Sequence, residues 1–454
     1  MAEQGRAWNR FANARTDAEA LVELIALELA GARCRLLNVD GSSPVSSCRR
    51  GEASLRILHV APYSADAWAY GGIARLAGTL TRGLARRGHH VTFCTTDVCD
   101  ASSRLQRARP RGATFRAWPP IRTADGVELR VFPNLSNHLA YSYQAFLPLG
   151  LNGFLKRQAA SFDVAHLHAC RNLPGAMAAH HLRRAAVPYV LAPNGTAPRI
   201  ERHLIAKRIF DLLAGRRMLL AADRVLAVSN VERRQLRELG VAPTAIRLIP
   251  NPVDLDDFTP PLARGRFRRQ LGLPPGPLVL FLGKLTPRKR VDVLIRAFAQ
   301  LKRRDASLVV AGNDMGSGAR ARALVTSLGI ADRTTFTGLL RGHDRLEALA
   351  DAEVLVYPSQ DEIFGLVPLE ALLCGTPVVV ADDSGCGEVI RTAGGGQVVP
   401  LGDAAAFAEA IECVLASPSR WRRAAAEAAE DLKTAYSGEV VCAQLEQLYG
   451  EMIG

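Results

Sequence analysis

Short apolar runs alternate along most of the chain with longer stretches that have helical periodicity. The first such unit consists of an apolar run at 55–60, a glycine-bearing loop at 70–73, a helical pattern that ends near Gly88, and a second apolar run at 89–95. A strand, a helix and a strand in this order predict a βαβ unit, and hence a parallel sheet with a right-handed crossover.

The same alternation continues in two cycles, which a proline-rich connection separates. Strand-like runs follow in the first cycle at 164–168, 189–192 and 224–228, and in the second cycle at 278–282, 307–311, 354–357 and 377–380. Two cycles of this kind predict two doubly wound α/β domains. Their ligands are expected in the cleft between them, at the carboxyl ends of the strands.

Composition narrows the class of protein. Hydrophobic residues make up 48% of the 454 residues, which is enough for two full cores and excludes a disordered or fibrous chain. The formal charge of +13 suits nucleic acid, an anionic membrane face or phosphorylated substrates, and the total does not choose among them. Nine cysteines without a paired spacing indicate reduced thiols inside a cell, and no apolar run is long enough to span a membrane.

The segment 361–377 combines charged residues with a change of secondary structure. It follows a predicted strand, so it begins as a loop, and a helix is predicted to start at Leu366. The amides at the start of that helix, beside the flexible Gly365, suit an anion such as a diphosphate. The carboxylates of Glu362 and Glu370 can accept hydrogen bonds from sugar or ribose hydroxyls. In another context the same two glutamates would be a solvated loop charge and a helix surface residue.

This segment resembles the E-x7-E motif of the retaining family-four glycosyltransferases, also described as glycosyltransferase group 1, which have the GT-B fold. The resemblance implies an α/β protein with two Rossmann-like doubly wound domains that face a central cleft. It also implies that Glu362 contacts the donor sugar as a catalytic residue and that Glu370 contacts the nucleotide ribose. Backbone amides at Phe364, Gly365 and Leu366 are then expected to bind the diphosphate.

The resemblance covers about residues 55 to 454 and assigns roles to the parts of the chain. It implies that the first domain holds the acceptor, that the second holds the nucleotide sugar, and that the last helix returns to the first domain. The parts are an N-terminal extension at 1–53, predicted to be flexible after an amphipathic helix, an N-terminal domain at 54–250, a linker at 251–275, a C-terminal domain at 276–435 and a final helix at 436–454.

A second motif lies at 281–291, after the first strand of the second cycle. Cations at this position can neutralise two phosphates and stabilise the charge on a departing nucleotide. The segment resembles the family's G-R-L…K-G element, with Lys284 at the arginine position as a substrate-binding residue and Lys289 at the lysine position as a catalytic one. Two departures stand out. Lysine lacks the bidentate fork of arginine, and Arg290 occupies a position where the family usually has glycine.

Three features of the first domain are similar to those of the same family. The paired Gly71 and Gly72 resemble its glycine loop, in which backbone amides meet the donor phosphate or the acceptor. The strand that ends in His166-Leu-His168 resembles one whose second histidine meets the donor sugar, so His168 is the catalytic candidate of this domain. We expect His166 to point to the other face of the strand, and the Asn-Gly pair at 194–195 to line the cleft.

Metal and cofactor motifs are weak. The D-x-D pattern at 254–256 is similar to a metal motif of another glycosyltransferase architecture, but it lies in a segment that we interpret as an Asx-rich turn. The glycines at 394–396 lack the G-x-G-x-x-G spacing of a dinucleotide site, and no zinc-ligand pattern is present in the sequence. We therefore expect no metal and no cofactor, with a nucleotide-diphosphate sugar as the co-substrate.

The resemblance implies a hexosyltransferase-type enzyme that moves a sugar to an acceptor hydroxyl with retention, in the synthesis of a cell-surface polysaccharide or glycolipid. The acceptor is expected to be a sugar or a lipid-linked molecule, and nucleic acid is not an expected partner. A basic, partly amphipathic stretch at 199–217 is predicted to rest on the anionic inner face of the cell membrane, which gives a cytoplasmic, peripheral protein. The same stretch would otherwise be an ordinary exposed helix face.

Three other classes of protein remain open. A sugar-nucleotide epimerase or a phosphorylase can have the same architecture. A dinucleotide oxidoreductase is disfavoured because its glycine fingerprint is missing. A catalytically silent sugar-binding relative is suggested by Lys284, although Glu362, Glu370 and Lys289 all match the family's pattern.

Overall fold

The computed structural model describes residues 54–100, 102–105, 118–200, 204–259, 262 and 264–454. The extension predicted at 1–53 therefore lies outside the described residues. Parts of the predicted basic stretch and linker, at 201–203 and 260–261, lie outside them as well.

The first sheet of the described chain has eight strands in the order β3-β4-β2-β1-β5-β6-β7-β8. Neighbouring strands are parallel, except for the antiparallel pair β3 and β4 at one edge. The strands are β1 (Arg56–Val60), β2 (His90–Thr96), β3 (Ile121–Arg122), β4 (Glu128–Phe132), β5 (Val164–His168), β6 (Tyr189–Ala192), β7 (Arg224–Ala227) and β8 (Ile246–Leu248).

The second sheet of the described chain has six strands, all parallel, in the order β11-β10-β9-β12-β13-β14. The strands are β9 (Leu278–Leu282), β10 (Ser307–Ala311), β11 (Thr334–Gly338), β12 (Val354–Tyr357), β13 (Val378–Asp382) and β14 (Gly396–Pro400). The strand order reverses at β9, which lies between β10 and β12. A parallel sheet offers a ligand crevice at such a switch point, at the carboxyl ends of the strands.

Helices cover both sheets. Those of the described ranges are α1 (Gly72–Arg86), α2 (Asn137–Tyr143), α3 (Leu151–Gln158), α4 (Leu173–Arg184), α5 (Leu204–Phe210), a π-helical turn (Asp211–Gly215), α6 (Arg216–Leu220), α7 (Asn230–Glu238), α8 (Arg266–Leu271), α9 (Val291–Gln300), α10 (Gly318–Ser327), α11 (Gly342–Asp351), α12 (Leu366–Leu373), α13 (Gly385–Ala393), α14 (Ala404–Ala416), α15 (Pro418–Tyr436) and α16 (Gly438–Ile453). Short 3-10 turns lie at Trp68–Tyr70, Ala159–Ser161, Pro243–Ala245, Leu255–Phe258, Pro287–Lys289 and Ala331–Arg333.

The central strands are apolar because both of their faces are covered. All five residues of β9, with the sequence LVLFL, are buried. Helix α1 places Leu76, Leu80 and Leu84 at helical spacing on one face, and all three are buried in the core of the first sheet. The two doubly wound α/β domains predicted from the sequence are confirmed.

The strands that the sequence did not predict lie mostly at the edges of the sheets. The outer strands β11 and β14 are only partly buried along most of their length. The short edge strands β3 and β8 carry charged residues and likewise lack a buried apolar run. Because one side of an edge strand faces solvent, its sequence does not show the continuous apolar run that marks a central strand.

The last helix lies against the first domain. Helix α16 begins at Gly438, two residues after the predicted start, and Glu446 pairs with Arg87 and with His89. The chain reaches it through a crossing at which the Val253 amide donates to the Tyr436 carbonyl at 2.7 Å. The chain therefore passes twice between the domains, once in each direction.

Candidate functional site

Three side chains hold Glu362 in the loop after β12. Lys289 forms an ion pair with the Glu362 carboxylate, and its Nζ also lies 2.6 Å from the Tyr357 hydroxyl oxygen. The hydroxyls of Tyr357 and Ser359 lie 3.2 Å from Oε2 of Glu362. The turn after β9 and the loop after β12 thus form one polar cluster at the carboxyl ends of neighbouring strands.

The charge state of Glu362 follows from this cluster. Burial raises the pKa of its carboxyl, but the charges of Lys289 and Arg288 and the hydrogen bonds from Lys289 and Ser359 outweigh burial and lower the pKa to about 2. Burial, together with the adjacent Glu362 charge, raises the pKa of Tyr357 well above its usual value. At neutral pH Glu362 is therefore an anion that accepts hydrogen bonds, and Tyr357 is a neutral donor.

The start of α12 has the backbone geometry of an anion site. Gly365 precedes the helix with a φ of 80°, in the left-handed region that favours glycine. The first amides of the helix, from Leu366 onwards, have no partner within the helix itself. The preceding loop is fixed because Ser384 Oγ donates to the Glu362 carbonyl oxygen at 2.6 Å. Phe364, Gly365 and Leu366 thus lie together, and their contact with a diphosphate stays a prediction.

The glycine loop of the first domain lies directly against the second domain. A Cβ atom at Gly71 would lie 2.8 Å from Cε of Lys284, and one at Gly72 would lie 2.9 Å from Cδ1 of Leu366. Lys284 Nζ donates to the Tyr70 carbonyl oxygen at 2.6 Å. A larger residue at either position would have to displace the end of the Lys284 or the Leu366 side chain, so the paired glycines allow the two domains to approach closely here.

The loop after β6 also reaches this region. A Cβ atom at Gly195 would lie 2.9 Å from Cγ1 of Ile363, which follows Glu362. The fully buried Glu232 fixes that loop, because its carboxylate accepts from the Gly195 amide at 2.7 Å and from the Val228 amide at 3.0 Å. Burial raises the pKa of Glu232 to about 7, against the effect of these two hydrogen bonds.

Glu370 lies in α12 and has both carboxylate oxygens engaged. Oε1 lies 2.6 Å from Nη1 of Arg75, and Oε2 lies 2.6 Å from Nη1 of Arg345. Each oxygen has a second lone pair that can accept from a ribose hydroxyl. The contact between Glu370 and a ribose stays a prediction.

The structure contradicts the expectation that His166 points to the other face of the strand from His168. His166 and His168 lie on the same face of β5, with their ring centroids 4.5 Å apart and their planes nearly parallel. Residues two positions apart in a strand share a face, so the expected alternation was wrong. His168 is fully buried, and its Nε2 lies 3.0 Å from Nδ1 of His59. Its contact with a donor sugar stays a prediction.

The three histidines form a buried cluster with the last helix. The ring of His59 stacks on those of His166 and His168, and the Tyr449 hydroxyl lies 2.7 Å from Nδ1 of His166. Burial lowers the pKa of all three rings, to about 3 for His168. These histidines are therefore neutral at physiological pH.

Arg290, which stands where the family usually has glycine, caps α9 with a φ of 46°. A residue with a Cβ atom is strained by roughly 1–2 kcal/mol in this region. Its side chain forms a partly exposed ion pair with Asp292 at 3.2 Å, and such pairs contribute about 0–1 kcal/mol.

We therefore expect Arg290→Gly to raise the free energy of unfolding by about 0.5–1 kcal/mol, because it removes more strain than it removes attraction. Urea denaturation of the two proteins at one pH measures this difference. Arg303→Gly, which removes a similar exposed ion pair, is a comparison that should not stabilise. A lower free energy of unfolding in Arg290→Gly would show that the side chain of Arg290 stabilises the fold by more than its strained backbone destabilises it.

The aspartates of the D-x-D pattern pair with arginines of α1. Asp254 forms an ion pair with Arg82 and accepts from the Asp256 amide at 3.3 Å, as in an Asx turn. Asp256 lies 2.7 Å from Arg86. Within the described ranges, no group of three or more His, Cys, Asp or Glu side chains is arranged to hold a metal ion. These aspartates attach the interdomain connection to the first domain.

Sequence reasoning missed four residues beside Glu370, namely Trp68, Arg75, Asp257 and Arg345. The rings and charges of these residues meet only because separate segments converge in space. Arg75 lies one helical turn after the glycine loop, and Asp257 directly follows the D-x-D pattern, so the sequence carried a signal near both. Trp68 and Arg345 belong to no motif.

Comparison with known proteins identifies the family of the chain. A family model described as "Glycosyltransferase Family 4" matches residues 70–257, and one described as "Glycosyl transferases group 1" matches residues 264–431. A D-inositol 3-phosphate glycosyltransferase of Acidothermus cellulolyticus is 32% identical over 372 residues, which cover 75% of this chain and 77% of that protein.

Solved structures share the fold. The sucrose-phosphate synthase of Thermosynechococcus elongatus is similar with a TM-score of 0.66 and 24% identity, over 87% of this chain and 98% of that one. Anabaena Alr3699/HepE in complex with UDP and glucose is similar with a TM-score of 0.68 and 16% identity, over 87% of this chain and 100% of that one. At these identities the structures establish the GT-B fold alone.

Proposed function

The chain belongs to the glycosyltransferase group 1 family, and from this premise we propose that it moves a sugar from a nucleotide-diphosphate sugar to an acceptor hydroxyl with retention at the anomeric carbon. The observation that carries the proposal is the cluster of Lys289, Glu362 and the α12 N-terminus. It combines a fixed cation, a fixed anion and orphan amides at the carboxyl ends of β9 and β12.

Each part of the cluster has a step in the proposed reaction. The amides at the start of α12, with Lys284 and Lys289, bind the diphosphate and stabilise its charge as the bond from the anomeric carbon to the phosphate oxygen breaks. Glu362 accepts hydrogen bonds from hydroxyls of the donor sugar. The acceptor hydroxyl forms the new bond on the same face of the sugar, and its proton passes to the leaving phosphate oxygen.

The charge states support this assignment of the proton. Because its pKa is held at about 2, Glu362 is a poor base at neutral pH. Burial lowers the pKa of His168 to about 3, so His168 is a poor base too. The leaving phosphate is then the available base on the face where the acceptor attacks.

The stereochemistry of the product tests this proposal. The protein is incubated with UDP-glucose, GDP-mannose or ADP-glucose and with either D-inositol 3-phosphate or a lipid-linked sugar, and the new anomeric proton is followed by NMR. We expect one donor class to give a product with the anomeric configuration of the donor. An inverted product contradicts retention. A free monosaccharide, or turnover that requires inorganic phosphate, indicates the same-fold epimerase or phosphorylase.

We further propose that transfer needs no metal ion. The support is that Lys284 and Lys289 offer cations at the diphosphate position, while Asp254 and Asp256 pair with arginines. The rate in excess EDTA is therefore expected to stay within about twofold of the untreated rate. Rates are measured after gel filtration into chelator, with and without added Mn²⁺. Loss of activity in EDTA that Mn²⁺ restores would contradict the proposal.

We also propose that the acceptor is lipid-linked and that the protein rests on the inner face of the cell membrane, in polysaccharide or glycolipid synthesis. The support is a surface that we name the apolar ridge, formed by α5, the π-helical turn and α6. Its exposed large apolar side chains are those of Leu204, Ile205, Ile209, Leu212, Leu213 and Leu220. Ile205 is 75% exposed and Leu212 is 86% exposed.

Charge and position favour a membrane as the partner of the apolar ridge. Arg208, Arg216 and Arg217 are exposed on the same segment, and arginines beside exposed apolar side chains suit an anionic lipid surface. Asp211 anchors the ridge through a bidentate pair with Arg171, at 2.7 and 2.9 Å. Arg171 also donates to carbonyl oxygens of the segment that follows Gly195, which links the ridge to the cleft. None of the helices in the described ranges is long and apolar enough to cross a bilayer.

Replacing Leu212 with glutamate is expected to weaken vesicle binding about tenfold or more, because it removes an inserted apolar side chain and adds a repelled charge. Co-sedimentation with vesicles that contain 30% or no anionic lipid measures binding at low and at high salt. The matched control is Leu328→Glu, at an exposed leucine of the second domain, which should bind as the unmodified protein does. Equal binding by all three proteins would contradict the membrane proposal.

A further inference from the structure

Arg75 reaches from one domain to a carboxylate of the other. It lies in the first turn of α1, and its Nη1 contacts Oε1 of Glu370 at 2.6 Å. The Glu370 side chain is 6% exposed and that of Arg75 is 19% exposed. A charge-assisted hydrogen bond with so little access to water is worth more than an exposed ion pair.

Glu370 is also held within its own domain. Arg345 contacts Oε2 of Glu370 at 2.6 Å, and the same guanidinium pairs with Asp257 of the interdomain connection. Both side chains of the Arg345–Glu370 pair are almost fully buried. Arg345 can therefore orient Glu370 whether the domains are apart or together, whereas Arg75 contacts Glu370 only when they meet.

Trp68 lies between the two arginines. Its ring centroid is 5.3 Å from Cζ of Arg75 and 5.4 Å from Cζ of Arg345. Trp68 belongs to the 3-10 turn that leads into Gly71. The backbone that approaches Lys284 and the guanidinium that reaches Glu370 are thus parts of one continuous segment.

We propose that Arg75 is a positioning residue that couples domain closure to the donor site, by completing a network of Arg75, Glu370, Arg345 and Asp257 around Trp68. The proposal deepens the proposed function and rests on it for the identity of the donor. When the domains close, Arg75 fixes the second oxygen of Glu370 and brings the glycine loop against the diphosphate position. When they open, Glu370 keeps Arg345 and loses Arg75.

The kinetic test compares Arg75→Ala and Arg75→Lys with Arg86→Ala. Arg86 lies on the same helix in an exposed pair, so its removal should leave kcat/KM for the donor within about twofold. Loss of a poorly solvated charge-assisted contact predicts a 10- to 100-fold lower kcat/KM in Arg75→Ala. Lysine can keep the single contact to Oε1, so Arg75→Lys should recover part of the loss. Equal kcat/KM in Arg75→Ala and Arg86→Ala would overturn the proposal.

A second readout does not depend on turnover. Trp68 is made the sole tryptophan of the full chain by replacing Trp8, Trp118 and Trp421 with phenylalanine. We expect Arg75→Ala to shift the emission of Trp68 and to increase its quenching by acrylamide, while Arg86→Ala changes neither. Unchanged emission and quenching in Arg75→Ala would overturn the network. If Arg75→Ala shifts the emission of Trp68 and increases its quenching, but the unmodified chain transfers no sugar, the network is upheld and the proposed function is contradicted.

Discussion

Lys289→Met is expected to lower kcat for sugar transfer by about three orders of magnitude without unfolding the protein. Lys289 lies at the centre of the site, where its ammonium group contacts both Glu362 and the Tyr357 hydroxyl. Its charge is available to stabilise the departing diphosphate. Removing one such group from a fixed site typically costs about 10²–10³ in rate, and here the loss also removes the cation that forms an ion pair with Glu362.

The loss of the Lys289–Glu362 ion pair determines which control variants this experiment needs. Breaking a poorly solvated pair by removing one partner destabilises a protein, so a loss of rate in Lys289→Met alone could reflect lost structure. Glu362→Gln keeps the shape of the side chain, and the double variant Lys289→Met/Glu362→Gln restores local neutrality. We expect the double variant to unfold at the same temperature as the unmodified chain and to be as inactive as Lys289→Met. Wild-type turnover in either single variant would contradict the site.

Lowering the pH from 7 to 5 is expected to remove at least about 4 kcal/mol from the free energy of unfolding. The main cause is the buried cluster of His59, His166 and His168, and the half-buried His181, whose pKa is lowered by burial to about 4, acts in the same direction. In the unfolded chain a histidine titrates near its usual pKa of about 6.5, whereas burial keeps all three well below that value in the folded state. Below pH 6.5 the unfolded chain therefore takes up protons that the folded protein does not.

The sign and size of this effect follow from the difference between the titrations of the folded protein and of the unfolded chain. The contribution of the three histidines is fully present above about pH 6.5 and is lost as the pH falls, at about 2 kcal/mol per histidine by pH 5. Glu232 acts in the opposite direction. Because its folded-state pKa is about 7, it takes up a proton in the folded state at a higher pH than in the unfolded chain. This uptake adds about 2 kcal/mol to the free energy of unfolding between pH 7 and 5.

Urea denaturation at pH 7, 6 and 5 measures the loss, and His59→Leu identifies its source. We expect this variant to lose about 2 kcal/mol less than the unmodified chain between pH 7 and 5, because one histidine no longer takes up a proton on unfolding. A free energy of unfolding that is flat between pH 7 and 5 would contradict neutral, buried histidines.

The sequence was sufficient to predict the central strands and the motifs at their ends. Val164–His168 and Leu278–Leu282 were predicted to the residue, because strands covered on both faces need continuous apolar runs. The helix start at Leu366 was predicted from the strand and the loop that precede it, and the structure has the helix begin there. These features depend on neighbouring residues, which a sequence displays directly.

The contacts that the sequence could not predict join residues from separate segments of the chain. Nothing in the local pattern at Arg345 indicates that it meets Glu370 and Asp257, since this contact requires the fold to bring three segments together. The alternation rule for strands was available for His166 and was misapplied. The stretch at 199–217 was predicted to be partly amphipathic, but the sequence did not indicate which of its apolar side chains are exposed, because an apolar residue in a helix is normally part of the core.

The most direct test of the donor site is a calorimetric titration of the full chain with UDP-, GDP- and ADP-sugars, with NADH as the control. We expect that one nucleotide class binds, that NADH does not, and that Glu370→Gln weakens binding about tenfold or more because a charged acceptor is lost. Absence of binding by every nucleotide sugar, with the protein folded by circular dichroism, would contradict the donor site and favour a silent relative of the family.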